Sequence, residues 1–88
     1  MRILIVEDEI RIREGIRKLL SKLDPGYEIV GEANDGLEGL DLCRQLEPDL
    51  IITDVQMPGM NGLKMLETLH DEGRMVKTIV LSAYSEFE

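Results

Sequence analysis

What the sequence has little of narrows its function first. There is one cysteine, Cys43, so no disulfide can form within the chain and a reducing compartment is the fitting environment. There is one histidine, His70, and no second one joins it, which leaves zinc without a ligand set. His70 falls late in a helical segment and reads as a surface or cap residue near a helix end. Neither GxGxxG nor GxxxxGK(S/T) occurs, so nucleotide binding has no support. Basic residues are scarce: 10 Lys and Arg stand against 18 Asp and Glu, a formal net charge of -8. Surfaces for nucleic acid or anionic lipid need clustered Lys and Arg, so direct binding to either is not expected. Long apolar runs are absent as well. The opening Ile3-Leu4-Ile5-Val6 gives way at once to Glu7-Asp8-Glu9, too short for a signal peptide or a membrane span. The expected location is the cytoplasm. No repeat, linker or low-complexity segment interrupts the 88 residues, enough for one domain.

What is present is a folded composition, 43% hydrophobic and 32% charged, organised as short buried strands alternating with amphipathic helices. Ile3 to Val6 is a continuous apolar run, as in a strand covered on both faces. From Ile10 to Leu23 the period changes. Ile12, Ile16, Leu19, Leu20 and Leu23 recur at helical spacing, with Arg11, Arg13, Arg17 and Lys18 on the other face, and Asp24-Pro25-Gly26 stops the helix. Tyr27 to Ala33 reads as a second strand. Asp35 followed by Glu38 resembles a capping box opening a second helix, with Leu37, Leu40, Cys43 and Leu46 as its stripe and Pro48 ending it. Cys43 thus reads as a small core residue. Leu50 to Asp54 is a third buried strand ending in a carboxylate. After the loop Val55 to Asn61, Leu63, Leu66 and Leu69 mark a third helix closed by Gly73. Thr78 to Ser82 is a fourth strand, and Ser85 to Glu88 reads as the start of a fourth helix. Met57, Met60 and Met65 read as core and loop packing. Such alternation predicts a parallel sheet with right-handed crossovers, whose ligands bind outside the carboxyl ends of the strands.

Those strand ends are where the chemistry gathers. The first runs into Glu7 and Asp8, the third ends at Asp54 and the fourth at Ser82. If the first and third strands are neighbours, three carboxylates share one crevice, and protons or a cation must neutralise them. Hard oxygen ligands with room for water suit Mg²⁺, which commonly takes one or two carboxylates together with substrate phosphate oxygens. A metal beside a strand-end aspartate makes it a usable nucleophile toward phosphorus. Asp54 follows the most deeply apolar strand and is the expected nucleophile, with Glu7 and Asp8 as the metal-side pair and Ser82 as a donor to a phosphoryl oxygen. Each residue also has an ordinary explanation: acidic groups after strands often cap the next helix, Ser82 could be a satisfied loop hydroxyl, and Pro58, Gly59 and Gly62 an unremarkable loop. Their combination favours the site.

These residues resemble the receiver domain of bacterial two-component response regulators. The resemblance rests on Ile3-Leu4-Ile5-Val6-Glu7-Asp8-Glu9, Ala33-Asn34-Asp35-Gly36-Leu37-Glu38, Pro48 to Asp54, Met57-Pro58-Gly59-Met60-Asn61-Gly62 and Val80-Leu81-Ser82-Ala83, in that order and spacing. The run Leu81 to Phe87 further resembles receivers joined to AraC-type DNA-binding output domains. The resemblance implies an α/β fold, a flavodoxin-like doubly wound parallel sheet with order 2-1-3-4 before a fifth strand. It implies that Asp54 receives phosphate from a sensor histidine kinase. It implies Mg²⁺ held by Asp8, Asp54 and the backbone carbonyl of Gln56, with Glu7 acting largely through water. Ser82 becomes the switch hydroxyl, Gln56 and Tyr84 the positions that tune dephosphorylation, and Pro58 and Gly62 part of the loop motif. An output domain, DNA-binding in many relatives, is the implied partner that the switch controls.

Against the family pattern, residues 1–88 read as a receiver stopping at the start of its fourth helix. The fifth strand, its phosphate-pairing lysine and the last helix have no counterpart, and Lys77 precedes the fourth strand at its opposite end. Two expectations follow: Mg²⁺ binding with poor phosphorylation, and self-association or element exchange through an apolar fourth strand left at the edge. Two rival functions stay open. One is a folding or assembly unit without phosphotransfer. The other is an aspartyl-phosphate phosphatase, which commonly carries a second aspartate two residues after the nucleophile; Gln56 stands there instead, so a turnover enzyme is not expected.

Overall fold

A computed structural model describes residues 1–57 and 59–81. Pro58, Ser82, Tyr84 and the expected helix start at Ser85 to Glu88 lie outside the described residues. The elements run β1 (Arg2–Val6), α1 (Ile10–Leu23), β2 (Glu28–Ala33), α2 (Gly36–Leu46), β3 (Leu50–Asp54), α3 (Gly62–Asp71) and β4 (Lys77–Leu81). The four strands form one sheet in the order β2-β1-β3-β4, and every pairing is parallel. This is the expected doubly wound arrangement. The second strand begins at Glu28, because the Tyr27 N–H turns back to the Asp24 carbonyl. Lys77 is the first residue of β4, opposite Leu50, and so lies at the far end of the sheet from Asp54, as expected.

Alternation along the strands sends side chains to opposite faces. Leu4, Val6 and Ile51 join Leu40, Cys43, Met65 and Leu69 beneath α2 and α3. Ile3, Ile5 and Ile52 form a smaller core with Ile16 and Leu20 of α1 packed against it. Met57 and Met65 are buried, in keeping with a packing role. The expected apolar stripe of α1 is only partly used. No residue of α1 is fully buried, and Leu19 and Leu23 remain 57% and 64% exposed, because no described residue covers the side of the helix beyond Ile16 and Leu20. Arg13 and Arg17, expected on the solvent face, instead meet Glu32 of β2.

The helix ends have identifiable causes. Asp35 caps α2 by accepting from the Glu38 N–H at 2.9 Å, while Glu38 accepts from the Asn34 N–H at 2.7 Å. The reciprocal half of the box therefore lands one residue before the cap. Asn61 caps α3 by accepting from the Lys64 N–H at 2.8 Å. At the far end of α2, Glu47 adopts a left-handed backbone (φ 48°), and Arg2 Nη1 donates to the carbonyls of Leu46 and Glu47. Arg44 of α2 pairs with Glu72 after α3, tying the two helices on the outer surface.

Candidate functional site

The carboxyl ends of β1 and β3 lie side by side, with Val6 opposite Thr53. This register brings the residues that follow β1 up against the last residue of β3. Carboxylate oxygens of Glu7, Asp8 and Asp54 lie within 4.8 Å of one another. The three differ in exposure: Glu7 is buried, Asp54 half-buried and Asp8 exposed. The pocket thus has an anionic floor and one side open to water.

Glu7 is not the side-chain cap of α1. Glu9 occupies the cap position and makes no side-chain cap bond. Glu7 Oε2 accepts from the Glu9 N–H at 3.0 Å. Burial pushes the Glu7 carboxyl above its ordinary value; the Glu9 N–H works against this, and the neighbouring Asp8 and Asp54 push it further up. No lysine or arginine forms an ion pair with Glu7, Asp8 or Asp54 among the described residues. A buried carboxylate crowded by two others, with no basic side chain to balance them, fits a divalent cation supplied from solution. The open side at Asp8 leaves room for the waters that Mg²⁺ retains.

Asp54 is held firmly by its surroundings. Its Oδ1 accepts from the Val55 N–H at 2.7 Å. Its backbone carbonyl accepts from the Thr53 hydroxyl at 2.9 Å. The following loop is pinned at both ends, by Gly62 N–H to the Val55 carbonyl at 3.1 Å and by Gly36 N–H to the Met60 carbonyl at 2.9 Å. Both glycines sit where a side chain would collide. A Cβ on Gly62 would lie 2.1 Å from the Asp54 carbonyl oxygen, and one on Gly36 would lie 2.4 Å from the Met60 carbonyl oxygen. Gln56 is exposed in this loop, two residues beyond Asp54.

Of the expected site residues, Glu7, Asp8 and Asp54 come together, and Gly62 lies against Asp54. Ser82, Tyr84 and Pro58 lie outside the described residues. Sequence reasoning missed Thr53, Gly36 and Arg13 as parts of the site. Thr53 carried a signal, being the one hydroxyl in an apolar strand. Gly36 carried a weaker one as a glycine at the first position of a helix. Arg13, whose Nη1 donates to the Glu7 carbonyl at 3.0 Å, was hidden among the basic residues of α1. His70 is exposed near the end of α3, and its carbonyl accepts from the Gly73 N–H, which makes it part of a helix terminus.

Comparison with known proteins bears on the same residues. Residues 3–88 match the response regulator receiver domain family. The chain is 47% identical to a protein-glutamate methylesterase/protein-glutamine glutaminase of Methanospirillum hungatei, over 94% of this chain and 24% of that protein. It is 38% identical to the nitrate/nitrite response regulator protein NarL of Escherichia coli, over 98% of this chain and 39% of that protein. Among solved structures, the signal receiver domain of a NarL response regulator from Mycobacterium tuberculosis superposes with a TM-score of 0.88 at 31% identity, over 98% of this chain and 68% of that one. The chain spans well under half the length of these curated relatives, 24% of one and 39% of the other, so the likeness to the methylesterase is confined to a quarter of that protein. The chain belongs to the response regulator receiver domain family, the receiving module of two-component signalling.

Proposed function

We propose that this chain is a Mg²⁺-dependent phosphoacceptor that takes a phosphoryl group from the histidine of a sensor kinase onto Asp54. The observation that carries the reading is the meeting of Glu7, Asp8 and Asp54 at the carboxyl ends of β1 and β3 without a basic partner among the described residues. In the transfer, an oxygen of Asp54 bonds to phosphorus as the phosphorus–nitrogen bond to the donor imidazole breaks, and the imidazole leaves and takes up a proton. Bound Mg²⁺ would offset part of the charge on the three carboxylates and on the oxygens of the group in transfer. Asp8, Asp54 and the Gln56 carbonyl would ligate it, and Glu7 would act from the floor of the pocket through water. The Val55 N–H fixes one carboxylate oxygen of Asp54 and thereby orients the other. Ser82 would donate to the phosphoryl group as the switch hydroxyl, and Gln56 and Tyr84 would set how long the acyl phosphate survives. The output partner would be a transcriptional domain, and the working location the cytoplasm. Among the described residues no helix is long and apolar enough to cross a membrane.

Intact mass spectrometry after incubation with acetyl phosphate tests this. One phosphoryl adduct that needs both Mg²⁺ and Asp54, and disappears in Asp54→Asn, is expected. No adduct on a chain that still binds Mg²⁺ would leave a metal pocket without phosphotransfer and overturn the reading.

A second role, self-association along β4, is favoured by one observation. Ile79 and Val80 are 48% and 43% exposed on a strand that has a neighbour on one side only among the described residues. Light scattering behind size exclusion should then show a dimer that grows with concentration; a monomer throughout would exclude it.

A further inference from the structure

Arg13 lies in α1, yet its guanidinium is engaged by three other parts of the fold. Nη1 donates to the Glu7 backbone carbonyl at 3.0 Å and to Oδ1 of Asn34 at 2.5 Å. Nε lies 3.4 Å from Glu32 Oε1, close enough for an ion pair but without a hydrogen bond. Arg17 pairs with the same Glu32. The Arg13 side chain is only 13% exposed, so this is not a freely solvated helix charge. Asn34 is itself fixed, because Glu38 Oε1 accepts from its backbone N–H at 2.7 Å and from its side-chain amide at 3.2 Å.

The carbonyl that Arg13 holds is the one that matters for the pocket. Beyond Val6 the β1 strand ends, and the chain must turn into α1 while presenting Glu7 and Asp8 toward Asp54. On the β2 side, the Glu7 N–H donates to the Ala33 carbonyl at 2.9 Å. The Glu7 carbonyl is secured by Arg13. The two contacts together fix the peptides on either side of Glu7, the second of which leads into Asp8.

We propose that Arg13 is a positioning residue for the acidic pocket: by anchoring the Glu7 carbonyl it sets how Glu7 and Asp8 stand relative to Asp54, and so sets the affinity for a divalent cation. The inference rests on the metal reading given above. It separates cleanly from simple electrostatics, because the two make opposite predictions. Removing a positive charge near three carboxylates strengthens cation binding, whereas removing the anchor weakens it. Arg13 shares Glu32 with Arg17 and makes its hydrogen bonds to the Glu7 carbonyl and Asn34, so its contact with the pocket is through the backbone and position is the effect to be tested.

The test is calorimetric titration of the full chain with Mg²⁺, well below its unfolding temperature. Wild type would be compared with Arg13→Gln, Arg13→Lys and the double variant Arg13→Gln/Glu32→Gln. Arg13→Gln should weaken binding about tenfold, in the range seen when groups that orient metal ligands are removed. The double variant should stay equally weak, since it restores the charge balance but not the anchor. Arg13→Lys keeps the charge without the planar fork and should fall between wild type and Arg13→Gln. Folded Arg13→Gln that binds Mg²⁺ as well as wild type, or better, overturns the inference. Should Arg13→Gln fail to fold, Arg13→Lys decides, and wild-type affinity there overturns it. A wild-type chain that binds no Mg²⁺ at millimolar concentration overturns the metal reading itself, and the inference with it.

Discussion

Gly62 has no room for a side chain. A Cβ there would meet the Asp54 carbonyl oxygen at 2.1 Å and the Thr53 hydroxyl at 2.9 Å, so the backbone of β3 or the start of α3 would have to move. Gly62→Ala should destabilise the fold by about 1–3 kcal/mol, the usual range for overpacking, as read by urea denaturation. It should also slow phosphoryl loading of Asp54 in the folded fraction. The sequence marks Gly62 only as part of a loop motif; its collision with Asp54 arises from β3 and α3 coming together and has no local sign. Glu47 is a contrasting residue. It holds a left-handed backbone that costs an ordinary residue about 1–2 kcal/mol, and the hydrogen bonds there are made by its backbone, the N–H to Cys43 and the carbonyl from Arg2. Glu47→Gly should therefore raise stability by up to about 1 kcal/mol in the same assay, less the extra freedom glycine gives the unfolded chain. Only Pro48 announces the helix end in the sequence; the left-handed residue before it does not stand out.

Among the elements, the helices show why periodicity reads some faces well and others poorly. In α2 the stripe was legible in part: Leu40 and Cys43 are buried while Leu37, at the first turn, stays exposed, and Asp35 caps as its spacing to Glu38 implies. In α1 the five apolar positions look equivalent in sequence, but only contact with β1, β2 and β3 decides that Ile16 and Leu20 pack while Leu19 and Leu23 stay out. β1 and β3 were legible because each is a short apolar run bounded by turns, and the convergence of their acidic ends followed from the sheet order. Between α2 and α3, the Arg44–Glu72 pair has a pH signature. The Arg44 hydrogen bond lowers the Glu72 carboxyl below its ordinary 4.5. Its contribution is therefore complete above 4.5 and is lost as the pH falls through the lower folded-state value. The pair is exposed, so the effect is small. Melting temperatures of wild type and Glu72→Gln should differ slightly at pH 7 and converge at strongly acidic pH. A gap that persists there would show that Glu72 acts through packing instead of charge.

For the molecule as a whole, the metal role proposed for the acidic pocket sets function against stability. Glu7 is buried, its carboxyl raised by desolvation, and two further carboxylates stand beside it. With a chelator present, Glu7→Gln should melt above wild type, by an amount on the order of 1 kcal/mol, because an amide removes one charge from the cluster. With millimolar Mg²⁺ the order should reverse, since a cation that binds only the folded state stabilises it by mass action. Differential scanning fluorimetry under both conditions checks this, and an unchanged order in Mg²⁺ would mean that Glu7 contributes nothing to the metal site. This crossing was readable in outline from the three acidic residues at the ends of two strands. Its asymmetry, one carboxyl buried and one open to water, was not, because burial depends on how β2 and α1 close over Glu7.

The pairing of β1 with β3 has a kinetic consequence. Arg2 and Asp49, whose bond closes the base of that pair, are 47 residues apart in sequence, so the two strands meet through a long loop whose closure is slow. The carboxylates face one another only once the register is complete from Ile3–Leu50 to Val6–Thr53. A divalent cation bound as proposed would therefore find its site after the slow search is over. It should leave the refolding limb of a chevron nearly unmoved and lower the unfolding limb, so that the ion would act as a latch on the finished sheet with no part in guiding its assembly.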